Sequence, residues 1–134
     1  MRSAFRRAAL VLPLLFAGPA RADDAKHAAS MACRIEPGSG RLFCTVRIVA
    51  PEGRAVSWSD ALVVAAPRAA RALKSRVTSR SDRPGEVVLA FVLGSGDGGR
   101  IDVLARAVTC PVVPRSGACT PLSERVGYDF RPGT

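Results

Sequence analysis

Residues 31 to 48 read Met31-Ala32-Cys33-Arg34-Ile35-Glu36-Pro37-Gly38-Ser39-Gly40-Arg41-Leu42-Phe43-Cys44-Thr45-Val46-Arg47-Ile48. Before the Pro37-Gly38-Ser39-Gly40 turn, Met31, Cys33 and Ile35 alternate with Ala32, Arg34 and Glu36. After it, Leu42, Cys44, Val46 and Ile48 alternate with Phe43, Thr45 and Arg47. A period of two on both sides of a Pro/Gly turn is the pattern of a β-hairpin. With a loop over 37–40, Cys33 faces Cys44, Ile35 faces Leu42, Met31 faces Val46, and Glu36 faces Arg41 beside the turn. Apolar meets apolar and acid meets base, so one register satisfies four pairs and predicts a Cys33–Cys44 disulfide. Closing so small a ring stabilises the fold by roughly 2 to 3 kcal/mol through chain entropy.

Downstream of the hairpin, residues 61–65 (Ala-Leu-Val-Val-Ala) form a short apolar run, and residues 72–79 place Leu73, Ser75 and Val77 on one face. Residues 66–78 stay open between strand and helix, because Ala70, Leu73 and Val77 also fit a helical stripe, though one too short to stand without packing. Arg83-Pro84-Gly85 is a turn. Val87 to Leu93 is a continuous apolar run, which reads as a central strand buried on both faces. Gly94 to Gly99 lacks the Lys and Ser/Thr of a phosphate-cradling loop and reads as a hairpin connection. Ile101, Val103, Ala105 and Ala107 alternate with Asp102, Leu104, Arg106 and Val108 up to Cys110; Val126, Tyr128 and Phe130 alternate with Arg125, Gly127, Asp129 and Arg131. If Cys110 faces Cys119, Val126 meets Val103 and Tyr128 meets Ile101 on an inner face, while Cys110 shares its face with Arg106 and Asp102 and turns toward solvent. Seven or so short strands with turns between them predict an all-β fold, an immunoglobulin-like antiparallel β-sandwich stapled by two disulfides.

Upstream, Arg2, Arg6 and Arg7 precede an apolar stretch from Ala8 to Ala17, and Ala20-Arg21-Ala22 precedes Asp23-Asp24. Residues 1–22 therefore read as a cleavable secretory signal peptide. The apolar stretch is about half of the ~20 residues that cross a bilayer, so no membrane span is expected after cleavage. Residues 23–30 read as a flexible tail and 31–134 as a single domain. Four cysteines in a short exported chain are the composition of a disulfide framework, which places the protein in the periplasm or outside the cell. The whole chain carries +9; losing Arg2, Arg6, Arg7 and Arg21 with the leader, and no acid, removes four of those charges. The remaining basicity is mostly arginine and, with many alanines, is what a GC-rich genome produces without selection.

Candidate chemistry is sparse. The C-x10-C and C-x8-C spacings are not zinc knuckles, and His27 is the sole histidine, so neither a metal nor another cofactor is expected. His27 lies in the tail, which disfavours a Ser-His-Asp or Cys-His arrangement. Trp58 reads as a packing residue. The basic run Arg68, Arg71, Lys74, Arg76, Arg80 and Arg83, broken only by Asp82, is a candidate contact for an anionic envelope surface; its plain alternative is a solvated face. Sparse aromatics and export argue against nucleic acid.

Cys110, the Pro/Gly loop behind it, the Cys119-Thr120-Pro121 step and the closing strand resemble the periplasmic immunoglobulin-like domain of the bacterial thiol:disulfide interchange protein, over the last third of the chain. The resemblance implies the sandwich fold and a redox role for Cys110 and Cys119; Cys33 and Cys44 are additional to that pattern. The expectation is a small non-catalytic structural or interaction module with a protein partner. Thiol-disulfide exchange at Cys110 and Cys119 is the alternative, and anionic-surface binding through residues 68–83 a second.

Overall fold

The hairpin forms with the register its spacing requires. In the computed structural model, which describes residues 28–113 and 117–132, β1 (Ala29–Glu36) pairs antiparallel with β2 (Arg41–Ile48), with Cys33 opposite Cys44, Ile35 opposite Leu42 and Met31 opposite Val46. Gly38 and Gly40 take positive φ of 78° and 64°, the backbone that this turn demands and glycine supplies most readily. The expected signal peptide and His27 lie outside the described residues.

Six further strands follow: β3 (Arg54–Ala65), β4 (Ala70–Ala72), β5 (Arg76–Thr78), β6 (Glu86–Leu93), β7 (Gly99–Pro111) and β8 (Thr120–Phe130). They form two antiparallel four-stranded sheets, β1-β2-β6-β4 and β5-β3-β7-β8. The fold is all-β, as expected, and the seven or so strands are eight. Leu42, Val46, Val87, Leu89 and Phe91 of one sheet share a buried core with Ala61, Ile101, Val103, Ala105 and Ala107 of the other. Large side chains from the first sheet thus meet alanine-rich strands of the second, which lets the sheets approach and pack densely. At one margin the backbone N–H groups of Ala28 and Ala29 donate to Glu124 Oε2 at 2.9 and 3.3 Å, fastening β1 to β8 across the sheets.

Four expectations need correction or completion. Ala29 and Ser30 belong to β1 and not to a tail, because Ala29 is buried opposite Ile48. The open segment 66–78 contains two three-residue strands, with Ala70–Ala72 on the edge of β6 and Arg76–Thr78 on the edge of β3. Leu73 lies between them, exposed, as the chain crosses from one sheet to the other. β6 is central but buried on one face only: Val87, Leu89 and Phe91 point inward, whereas Val88 is 45% exposed. A continuous apolar run hides that alternation. Finally, the 94–98 loop is no hairpin, since β6 pairs with β2 and β4 while β7 pairs with β3 and β8; the loop crosses between the sheets.

Candidate functional site

The outer face of the β5-β3-β7-β8 sheet is shaped by the first of two irregularities in β3. Ala55 pairs with Cys110 and Val56 with Thr109, but the next pair is Trp58 with Val108, so Ser57 is an extra residue in a β-bulge. Strict alternation from inward-facing Val56 sends Trp58 and Asp60 to the core. The bulge reverses the phase: Ser59 and Ala61 become the inward residues, opposite Ala107 and Ala105, and Trp58 and Asp60 turn outward. Ser59, a buried hydroxyl, is satisfied by donating to the Pro84 carbonyl, and its N–H donates to Ser79 Oγ at 3.1 Å.

Asp60 carries the electrostatics of this face. It has no exposed surface, although its partners Arg76 and Arg106 keep 54% and 39% of their side chains exposed. Arg106, directly opposite on β7, donates from Nε to Asp60 Oδ1 at 2.9 Å and from Nη2 to Oδ2, a bidentate fork. Arg76 of β5 donates from Nε to Oδ2 at 2.7 Å. Burial by itself raises the Asp60 carboxyl, but the hydrogen bonds and charges of Arg106 and Arg76 outweigh it and hold the group below its ordinary value. The hydrogen bonds that Arg106 donates to Asp60 in turn lift its guanidinium above its ordinary value.

Beside this triad lies an open cleft of about 610 Å³ lined by Trp58, Arg76, Arg106, Val108, Pro121 and Ser123, among others. Its volume is that of a small-molecule or side-chain site. Trp58, half-buried, is a wall of the cleft rather than a core residue. Local alternation alone does not reveal this, because the bulge at Ser57, which sets its direction, has no residue signature of its own. A signal does exist in the burial that alternation without a bulge forces on Asp60.

The second disulfide closes the same face. Thr109 pairs with Thr120, and one step further Cys110 and Cys119 are bonded, with Cα atoms 4.1 Å apart. Cys110 is half-buried and Cys119 exposed. Along β7 and β8 the outward pairs run Cys110–Cys119, Val108–Pro121, Arg106–Ser123, so a single rung separates the disulfide from the arginine end of the cleft. Arg54 pins this corner: Nε donates to Thr109 Oγ1 at 3.0 Å, and Nη2 donates to the Thr109 carbonyl at 2.7 Å, the Ala118 carbonyl at 2.9 Å and Thr120 Oγ1 at 3.0 Å. The Cys33–Cys44 bond lies on the inner face of the other sheet, with Cys44 fully buried.

The basic stretch 68–83 is distributed. Arg68 lies in the β3–β4 connection, Arg71 on β4 in one sheet, Lys74 in the crossing, and Arg76 on β5 in the other sheet. Arg76, Arg80 and Arg83 are matched by Asp60, Asp82 and Glu86 at 2.7, 3.1 and 3.7 Å. Among the described residues there is no cluster of three His, Cys, Asp or Glu able to hold a metal ion, and no helix long and apolar enough to cross a membrane. No protein-family model matches the chain, and neither the curated proteins nor the solved structures include a match.

Proposed function

We propose that this chain is a small exported interaction module, an immunoglobulin-like scaffold without catalytic activity, whose contact surface is the outer face of the β5-β3-β7-β8 sheet. The observation that carries this reading is the half-buried Trp58 in a cleft beside two arginines that a buried carboxylate holds in place. Rigid aromatics and arginines are the residues that anchor contacts, because they bring large area at small entropy cost. Support for export comes from the leader-like residues 1–22 and from two disulfides, which persist in oxidising compartments. The basic stretch supports an envelope-surface role less well, since its charges fall on two sheets and half are already matched.

The test is photo-crosslinking in cells that export the chain, with a photoreactive residue at Ser123 on the cleft rim or at Thr45 on the opposite sheet. The expected result is a discrete adduct from Ser123 that is lost with Trp58→Ala, and none from Thr45. Equal labelling from both positions, or none from Ser123, contradicts it.

A second reading is thiol-disulfide exchange, favoured by the exposed Cys119 at the end of that face. A partner thiolate attacks Cys119 Sγ, forms a mixed disulfide and releases the Cys110 thiolate. The partner's second thiolate then resolves it, leaving the chain as the dithiol and the partner as the disulfide.

A further inference from the structure

We infer that the Trp58 cleft is a binding site for a carboxylate carried on an apolar body, an inference that rests on the outer sheet face being the contact surface. The charges count first. Arg76 and Arg106 contribute two positive charges and Asp60 one negative, so the cleft keeps an excess of one and matches a single anionic group.

The donors count next. Arg106 spends Nε and Nη2 on Asp60, and Arg76 spends only Nε. Among the described residues the structure gives no acceptor to Arg106 Nη1 or to either Nη of Arg76. Those N–H groups are therefore available, on side chains whose direction the Asp60 carboxylate has already fixed. An arginine fork held in this way suits the paired oxygens of a carboxylate, and the ordering entropy is already spent in the fold.

The walls decide what the carboxylate is attached to. Trp58, Val108 and Pro121 line the cleft beside the arginines, with the Ser123 hydroxyl as a further polar group. An apolar or aromatic body fits against them with its charge toward Arg76 and Arg106. That chemistry belongs equally to a small aromatic acid and to the C-terminal residue of a peptide.

Trp58 is the sole tryptophan of the chain, so its emission reports on this cleft alone. The experiment titrates the purified, disulfide-intact protein with N-acetyl-phenylalanine, with N-acetyl-phenylalaninamide, and with a pentapeptide ending in phenylalanine, free or amidated at its C-terminus. Saturable change with the carboxylate forms, at least about tenfold weaker with the amides, is expected, because the amide loses the charge-assisted contact to the arginines; tenfold corresponds to about 1.4 kcal/mol. A peptide that binds tenfold tighter than the free acid assigns the site to chain termini, and equal affinities assign it to small acids. Arg76→Gln should weaken carboxylate binding about tenfold; Ser123→Glu, which adds a charge at the rim and removes no contact of the fold, should do the same. Equal binding of acids and amides, or no response to either, overturns the ligand class. If the Ser123 crosslink persists in that case, the contact face stands and only its ligand is wrong; if it too is absent, both fail.

Discussion

The β1–β2 and β7–β8 hairpins are closed by disulfides of almost equal ring size, between residues directly opposite one another, yet one bond faces the core and the other faces out. Sequence separations of 11 and 9 and Cα distances of 4.0 and 4.1 Å make them near equals in chain-entropy terms. Their surroundings differ. Cys44 is fully buried beside Leu89 of β6 in the core, so the bond there is both a cross-link and part of the packing. Cys119 is exposed, and the Cys110–Cys119 bond borders the Trp58 cleft. The lesson is that ring size sets how much a disulfide stabilises, while the face it occupies sets whether anything can reach it.

The largest expected effect follows from that difference. Replacing Cys33 and Cys44 together by Ala should lower stability by about 4 kcal/mol, about 3 from chain entropy and the rest from lost packing of the buried sulfur. Replacing Cys110 and Cys119 together by Ala should cost less, about 3 kcal/mol, because the chain-entropy loss is nearly the same while no fully buried sulfur is removed from the core there. Urea denaturation of the two variants compares them directly, and equal losses would break the distinction.

Next in size is Asp60→Asn, expected to cost about 2 kcal/mol at neutral pH. That is less than a fully buried ion pair loses, since Arg76 and Arg106 can rehydrate. The pH dependence has a definite sign. Asp60 titrates below its unfolded value of 3.8, so its contribution is complete above that pH and disappears as acid protonates the folded carboxylate. The gap between wild type and Asp60→Asn should therefore narrow below about pH 4, measured as denaturation midpoints at pH 7 and pH 3. A gap that stays constant would mean that the carboxylate is not held by the two arginines.

The smallest effect sharpens the comparison most. Arg54→Ala should cost about 1 kcal/mol and speed reduction of Cys110–Cys119 while leaving the Cys33–Cys44 rate unchanged. Thiol labelling with mass mapping reads both rates in one sample, and acceleration of both pairs would show general loosening instead.

Both hairpins were legible from period-two alternation, because a single register had to satisfy several pairs at once: Cys33 with Cys44 and Ile35 with Leu42 in one, Val103 with Val126 and Ile101 with Tyr128 in the other. The outward turn of Cys110 followed from the same parity. What escaped the sequence was wherever phase is interrupted or masked. The bulge at Ser57 reverses the direction of Trp58 and Asp60, and so hides the cleft. The unbroken apolar run of β6 conceals the exposed Val88, and pairing between distant strands, not local composition, makes the 94–98 loop a crossing between sheets. The triad around Asp60 joins β3, β5 and β7, and no local pattern links Arg76 and Arg106 to it.

The division between a sealed staple and an accessible contact face is tested most directly by a redox titration of both cysteine pairs with Trp58 emission recorded in the same samples. Cys110–Cys119 should reduce first, with Trp58 emission changing in that step because Val108 and Pro121, the rung next to the disulfide, themselves line the cleft, while Cys33–Cys44 stays oxidised to below about −300 mV. Reduction of both pairs in a single step, or opening of Cys110–Cys119 with Trp58 emission unchanged, would contradict it.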